Sequence, residues 1–420
     1  MARRQTTGMW TSFITWMDER MPVTETWEYH LSKYYAPKNF NVWYIFGSLS
    51  IFVLVMQIIT GIWLTMSYVP TGEGAFASVE YIMRDVELGW LIRYLHSTGA
   101  SAFFIVVYLH MFRGLMYGSY RRPRELLWLI GMAIYLCLVV EGFLGYLLPW
   151  GNMSYWGAQV IVSLVGAIPL IGADLMEWVR GDFLMSGITL NRFFALHVAA
   201  LPIVLIILVF LHLIALHHVG SNNPDGVEIK QNKDENGVPR DGIAFHPYYT
   251  VHDIYGVVVF LFIFCVAAFF APEMFGYFIE APNFTVADPL KTPDHIAPVW
   301  YYTPFYAMLR AATFPLLAVP AKFWGLVVMG SAILVPMVLP WLDKSPVRSI
   351  RYKGMASKVM LGLFTISFLV LGYLGTIPPD PFATLLAQGM TVIYFSYFIL
   401  MPWYTRVEKT KPEPDRVTMR

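Results

Sequence analysis

The sequence predicts an all-α, polytopic membrane protein with eight transmembrane helices. Three observations predict it. The 420-residue chain is 57% hydrophobic and only 14% charged, and it carries 14 Trp, 25 Tyr and 30 Phe, which is too apolar for a soluble surface of this size. Eight apolar stretches are each long enough to cross a hydrocarbon core of about 30 Å; they lie near 42–66, 95–117, 126–148, 193–216, 252–271, 323–342, 357–377 and 385–404. The basic residues are also sorted, with 22 of the 29 Lys and Arg in the tail 1–41, the turns near 113–124, 230–240 and 344–358, and the C-terminal tail. Lys and Arg concentrate on cytoplasmic loops, so this asymmetry predicts eight spans with both termini cytoplasmic.

Along the chain, residues 1–41 are polar and aromatic, with no apolar run before a small-residue cleavage site; the expectation is a cytoplasmic surface segment without a cleavable signal, with Trp10 to Met21 on the membrane surface. Residues 42–230 form the front four-helix part and 231–420 the back four-helix part. The polar loop 221–241, with SNNPDG and KDENG, reads as the linker between them. A ninth apolar stretch, 298–320, contains Arg310 and Pro298, Pro304, Pro315 and Pro320, so it reads as a surface or re-entrant segment. A net charge of +1 and the lack of a glycine-rich phosphate loop give no sign of nucleic-acid binding. The two cysteines, Cys137 and Cys265, belong to no haem-attachment or iron–sulfur motif, so any haem must be held non-covalently.

Four of the ten histidines fall in the second and fourth spans: His96 and His110, then His197 and His212. At about 100° per residue, 14 steps return to within about 40° of the start and 15 to within about 60°, so each pair keeps roughly to one helix face. The two spans run in the same direction, which levels His96 with His197 near the outer face and His110 with His212 nearer the cytoplasm. Facing neutral imidazoles suit the axial positions of haem iron, and two levels predict two b-type haems in the front four-helix bundle. Gly47 and Gly61 in the first span, and Gly131 and Gly145 in the third, repeat the interval of 14 and would let a flat porphyrin approach the backbone. Arg93 and Arg113 stand three residues to the membrane-surface side of His96 and His110, where a guanidinium can pair with haem propionates or simply reach the interface.

RYLHSTGAS with His96, GYLLPWGNMSYWGA at 145–158, NRFFALH ending at His197, GSNNPDG at 220–226 and FHPYYTVHD at 245–253 together resemble cytochrome b of bacterial and mitochondrial bc complexes. The resemblance covers about 40–345. It implies the haem b subunit of a bacterial quinol–cytochrome c oxidoreductase in the cytoplasmic membrane, working a Q-cycle. Ubiquinol is oxidised at an outer pocket, one electron passing to a Rieske iron–sulfur protein and the other crossing both haems to reduce ubiquinone at an inner pocket. It further implies a homodimeric complex with a c-type cytochrome subunit.

Three departures from the family pattern stand out. The outer-pocket PEWY motif reads Pro298-Val299-Trp300-Tyr301, without its carboxylate. The fourth span has one residue more between its histidines than the usual bc spacing, which a local bulge near Pro202 would absorb. His252 replaces the usual lysine before Asp253.

By the resemblance, His217, Ser221, His252 and Asp253 form the inner pocket, where quinone reduction needs donors that re-protonate from the cytoplasm. Tyr146, Trp156, Trp300, Tyr301 and Tyr302 would line the outer pocket. With Val299 unable to accept a proton, Glu141 is the expected acceptor: it interrupts an apolar run one turn before Gly145, where a carboxylate is costly without a function. Glu280 and Asp294 rank below it because their loop reads as solvated. A histidine-based transporter remains a competing reading, and it would be colourless where two b-haems give a red protein; a haem anchor for a soluble dehydrogenase fits the length and the PVWY and FHPYYT motifs poorly.

Overall fold

The computed structural model of this protein describes residues 8–419; the first seven residues of the N-terminal surface segment lie outside them. The chain crosses the bundle eight times, in spans Val42–Thr65, Gly89–Tyr117, Glu125–Leu147, Gly187–Val219, Phe245–Phe270, Ala321–Leu342, Met355–Thr376 and Pro381–Ile399. These are the eight stretches expected from the sequence. Continuous apolar composition lets backbone groups pair within each helix while the outward faces meet lipid. Fittingly, Ile203, Ile207, Phe262 and Ile263 are largely uncovered. The amphipathic helix Met9–Asp18 leaves Trp10, Phe13 and Trp16 uncovered.

The spans pack as antiparallel pairs, first on second and third on fourth, with the fifth against the first two. In the back part the seventh and eighth spans pair. The stretch from 298 does not cross: its prolines allow only a 3-10 turn, Trp300–Tyr302, and a short helix, Thr303–Ala311, wedged among the sixth, seventh and eighth spans.

The fourth span contains the expected irregularity. Leu196–Ala200 is a π-helical turn carrying His197, immediately before Pro202. Proline has no N–H and its ring crowds the carbonyl four residues back, so the extra residue is accommodated where the regular ladder is already broken. With one residue taken up, His197 and His212 are related much as His96 and His110 are.

The start of the 221–241 loop is a buried junction rather than a solvated linker: Asn222, Asn223 and Asp225 are at most 3% exposed. The Asp225 carboxylate accepts from Asn39 Nδ2 (3.0 Å), Arg351 (3.0 Å), the Tyr352 hydroxyl (2.8 Å) and Thr418 N (2.7 Å). One side chain thus joins the N-terminal segment, both halves and the C-terminal tail. Burial opposes its charge, but the hydrogen bonds from Thr418, Tyr352 and Arg351 outweigh it and hold the carboxyl below its ordinary range. Nearby, burial likewise opposes the charge of Asp241, while Arg416, Lys38 and the Val417 N–H hold its carboxyl at about 2. A two-stranded pairing, Tyr35–Pro37 with Gly242–Ala244, completes this knot.

Asp225→Ala is expected to cost about 2–3 kcal/mol, because it takes the acceptor from the buried Asn39 amide and from the Thr418 and Tyr352 donors, with the partly exposed Arg351 adding little. The midpoint of thermal unfolding in detergent measures this, and an unchanged midpoint would contradict the junction's role. Depressed carboxyl values contribute stability above their unfolded value and lose it as pH falls. The unaltered protein should therefore hold its midpoint down to about 3.8 and lose it toward about 2, where Asp241 takes up its proton.

Candidate functional site

Each helix pair of the front bundle sets glycines against histidines. A Cβ placed on Gly47 would lie 3.4 Å from His110 Cε1, on Gly61 3.2 Å from His96 Cε1, on Gly131 3.1 Å from His212 Cε1, and on Gly145 2.4 Å from His197 Cε1. The first thing a side chain at these positions would meet is therefore an imidazole edge. Shared intervals of 14 residues follow from this: a glycine ladder on one helix tracks a histidine ladder on its antiparallel neighbour.

Between the pairs, the imidazoles face each other. His96 and His197 have ring centres 6.3 Å apart with planes at 90°, and His110 and His212 are 6.5 Å apart at 63°. A metal–imidazole bond is about 2.0–2.1 Å, and a ring centre lies about 1 Å behind its nitrogen, so two imidazoles on opposite sides of one metal have centres about 6 Å apart. The observed separations fit.

Hydrogen bonds fix the outer pair in the tautomer that a metal needs. The Thr60 hydroxyl donates to Met56 O (2.7 Å), so its oxygen, 2.9 Å from His96 Nδ1, is an acceptor. His197 Nδ1 lies 3.1 Å from the backbone oxygen of Glu141 and 3.0 Å from its carboxylate Oε1. Both Nδ1 atoms thus carry protons and both Nε2 lone pairs stay free, as in sites where a carbonyl or carboxylate orients a ligating histidine. At the inner level Arg113 approaches His110 Nδ1 at 3.4 Å and lies over the Tyr44 ring at 4.8 Å. Arg93 borders the outer pair.

A cavity opens beside the outer pair, bounded by Gly61, Arg93, Gly145, the two imidazoles, Tyr146, Val299 and Tyr301. Tyr301 stacks on Phe104 with centroids 3.9 Å apart. The aromatic lining expected from the sequence is only partly realised. Trp300 donates to Ser101 Oγ (3.1 Å) and Tyr302 to Val139 O (2.7 Å), because each has a polar edge that partial burial must satisfy, while Trp156 donates to Asp288 O (3.1 Å) in an exposed bond.

The carboxylates also depart from expectation. Glu141 borders the cavity, but its Oε1 is engaged with His197. Glu280, expected in solvent, is turned inward and accepts from the Tyr146 hydroxyl at 2.6 Å. The cause is the lacing of its loop to the end of the third span and the helix after it: Asn283 Oδ1 accepts from Ser154 N (3.0 Å), Asn152 N donates to Thr285 O (2.8 Å) and Ala287 N to Trp150 O (3.0 Å). Burial pushes the Glu280 carboxyl up to about 7 against the bond from Tyr146. Asp294 remains exposed.

Beyond the His110–His212 couple the expected inner residues fall in two sets. His217 packs on Tyr34 (4.6 Å between centroids), whose hydroxyl is 3.2 Å from Ser221 Oγ. Asp253 faces Ser48 of the first span, and His252 stacks on Tyr248 at 5.0 Å. Tyr34, Phe245 and Tyr249 link the sets ring to ring. Sequence reasoning missed Thr60, Tyr34 and His30, which is edge-on to His217 at 5.0 Å; only Thr60, beside Gly61, stood next to a marked position.

Residues 31–220 match the family model described as Cytochrome b/b6/petB, and residues 286–395 the one described as Cytochrome b(C-terminal)/b6/petD. A protein named cytochrome b from Allochromatium vinosum is 62% identical over 97% of this chain and 99% of its own length. Another from Rhodospirillum rubrum is 47% identical over 96% of each. A chain of a solved hyperthermophilic respiratory Complex III superposes with a TM-score of 0.85 at 37% identity, covering 94% of this chain and 99% of that one.

The glycine contacts give a graded test. Gly145→Ala, which drives a Cβ to 2.4 Å from His197, should lower the b-type haem absorbance; Gly47→Ala, at an ordinary 3.4 Å, should leave it in place. Reduced-minus-oxidised spectra measure both, and equal tolerance of the two changes would contradict the glycine–imidazole packing.

Proposed function

The chain belongs to the cytochrome b family of bc complexes, and from that premise we propose that it is the quinol-oxidising and quinone-reducing subunit of a bacterial quinol–cytochrome c oxidoreductase working a Q-cycle. The observation that carries the reading is the pair of facing imidazole couples, stacked at two levels and joined on the outer side to a cavity. His96 with His197 would hold the outer haem b and His110 with His212 the inner one, with Arg93 and Arg113 beside their propionates. When bound, the haems supply a one-electron path between the faces of the membrane.

The protein's own groups do the rest. Thr60 and Glu141 orient the outer imidazoles. Tyr146, Val299 and Tyr301 bound an apolar slot where the quinol ring is held away from bulk water. At the cytoplasmic end, His217, Ser221, His252 and Asp253 bind quinone and deliver protons to its oxygens, His252 being uncovered and thus in exchange with water. The Rieske iron–sulfur protein takes one electron of each quinol at the outer face, and a c-type cytochrome receives it; ubiquinol is the proposed substrate and a homodimeric complex the proposed assembly. Both termini face the cytoplasm, in accord with the basic loops and an even number of spans.

His212→Ala should abolish the inner haem's absorbance alone, leaving one b-type haem per chain; retention of both would overturn the pairing. Asp253→Asn should slow reoxidation of the inner haem while reduction of the outer one by quinol continues, which flash or stopped-flow spectroscopy of the complex resolves. Unaltered inner-haem turnover would remove Asp253 from the inner site.

A further inference from the structure

Quinol oxidation in an apolar slot needs a base within reach of the quinol hydroxyl, and the residue at the PEWY carboxylate position, Val299, is 2% exposed and has none to offer. We propose that Glu280 is the proton acceptor of the outer quinol site, reached through the Tyr146 hydroxyl. The inference rests on the quinol-oxidising function proposed above and supplies its missing base.

Four features of the chain converge on this carboxyl. Tyr146 borders the cavity beside the outer imidazole pair, and its hydroxyl is bonded to Glu280 Oε2 at 2.6 Å, so the phenol joins the carboxylate to the slot. The loop is fixed on both sides of Glu280 by buried Ile279 and Asn283, which makes the inward turn a built arrangement. Tyr277 and Ala281, close on either side in sequence, are exposed, so the carboxyl stands between slot and outer solvent. Glu141, the carboxylate that itself lines the cavity, has its Oε1 engaged with His197 Nδ1, an imidazole it orients.

The groups facing Glu280 are the Tyr146 phenol from the third span and the Tyr301 phenol from the Trp300–Tyr302 turn, whose own proton is held more tightly by burial and then by the Glu280 charge. No cation is among them to keep the carboxyl ionised at low pH. Its value of about 7 suits a base that must take a proton and release it again near neutrality.

The transfer balances. A quinol O–H bond breaks as the Tyr146 oxygen takes the proton, and the Tyr146 O–H bond breaks as the carboxylate takes its proton, leaving a quinol monoanion and a neutral Glu280. The monoanion becomes quinone by giving one electron together with its remaining hydroxyl proton to the iron–sulfur partner and one electron to the haem path, and Glu280 then loses its proton to the outer solution.

The test uses the whole complex, with Glu280→Gln, Tyr146→Phe and the double change Glu280→Gln with Val299→Glu. Glu280→Gln should slow quinol oxidation on the order of 10²-fold, the scale of a lost general base, with both haems still present. The rise in rate with pH through about 7 should flatten. Val299→Glu in that background should recover part of the rate and move the pH step. If Glu280→Gln loses haem, Tyr146→Phe reads the same relay from its other end and should show the same flattening. An unchanged rate and pH profile in Glu280→Gln, or a step that vanishes in Glu141→Gln but persists in Glu280→Gln, would overturn the assignment. An unaltered complex that reduces no cytochrome c from quinol would instead remove the function on which the assignment rests.

Discussion

The contact between a glycine on one helix and an imidazole edge on its antiparallel neighbour sets the geometry of the front bundle. A histidine standing between two apolar helices must be allowed near one backbone before it can project toward the opposite pair, and only a residue without Cβ grants that approach at Gly145, where an added carbon would sit 2.4 Å from His197. Because the first and third spans repeat the interval of the second, the same solution recurs at two depths. The fourth span departs from that interval by one residue, and its π-turn at Leu196–Ala200 restores the register. Spacing, glycines and helix irregularity are thus three consequences of one requirement, that four imidazoles meet in two couples across the bundle.

Around the outer couple the structure distributes acidic groups by task. Glu141 is deep in the third span, where an idle carboxylate is expensive, and its position against His197 Nδ1 gives it a partner and the imidazole a fixed orientation. Glu280 meets Tyr146, in the cavity wall, from a loop that is tied to the third span's end through Trp150, Asn152 and Ser154. The cavity is bounded by side chains from the front bundle and from the stretch between the fifth and sixth spans. The two halves of the chain therefore have to be held together for the outer site to exist. The buried knot around Asp225, Asp241 and the C-terminal tail supplies such a tie on the far side of the membrane.

The eight spans were legible in the sequence because a bilayer imposes a length and an apolar composition that few other structures share. Their ends were less so. The second span begins at Gly89, well before the apolar run, since Arg93 can sit in a helix at the interface without lowering its helical tendency. The histidine and glycine ladders were legible as periods, and so was the irregularity near Pro202, as one residue too many. What escaped was set by long-range contacts. Nothing local marks Glu280 as turned inward, for that turn depends on hydrogen bonds to residues some 130 positions away. The same holds for SNNPDG, whose polar letters describe a solvated loop until Asn39, Arg351 and Thr418 converge on Asp225. Trp300 and Tyr302 were expected at the quinol because they are aromatic; their polar edges, which needed buried partners, decided otherwise.

The haem content of the purified protein tests the central claim most directly, with the pyridine haemochrome giving haem b per chain and a potentiometric titration resolving the centres. The account expects two non-covalent b-type haems per chain, titrating as two components. A single haem per chain, or none, would contradict the assignment of the four histidines to two couples.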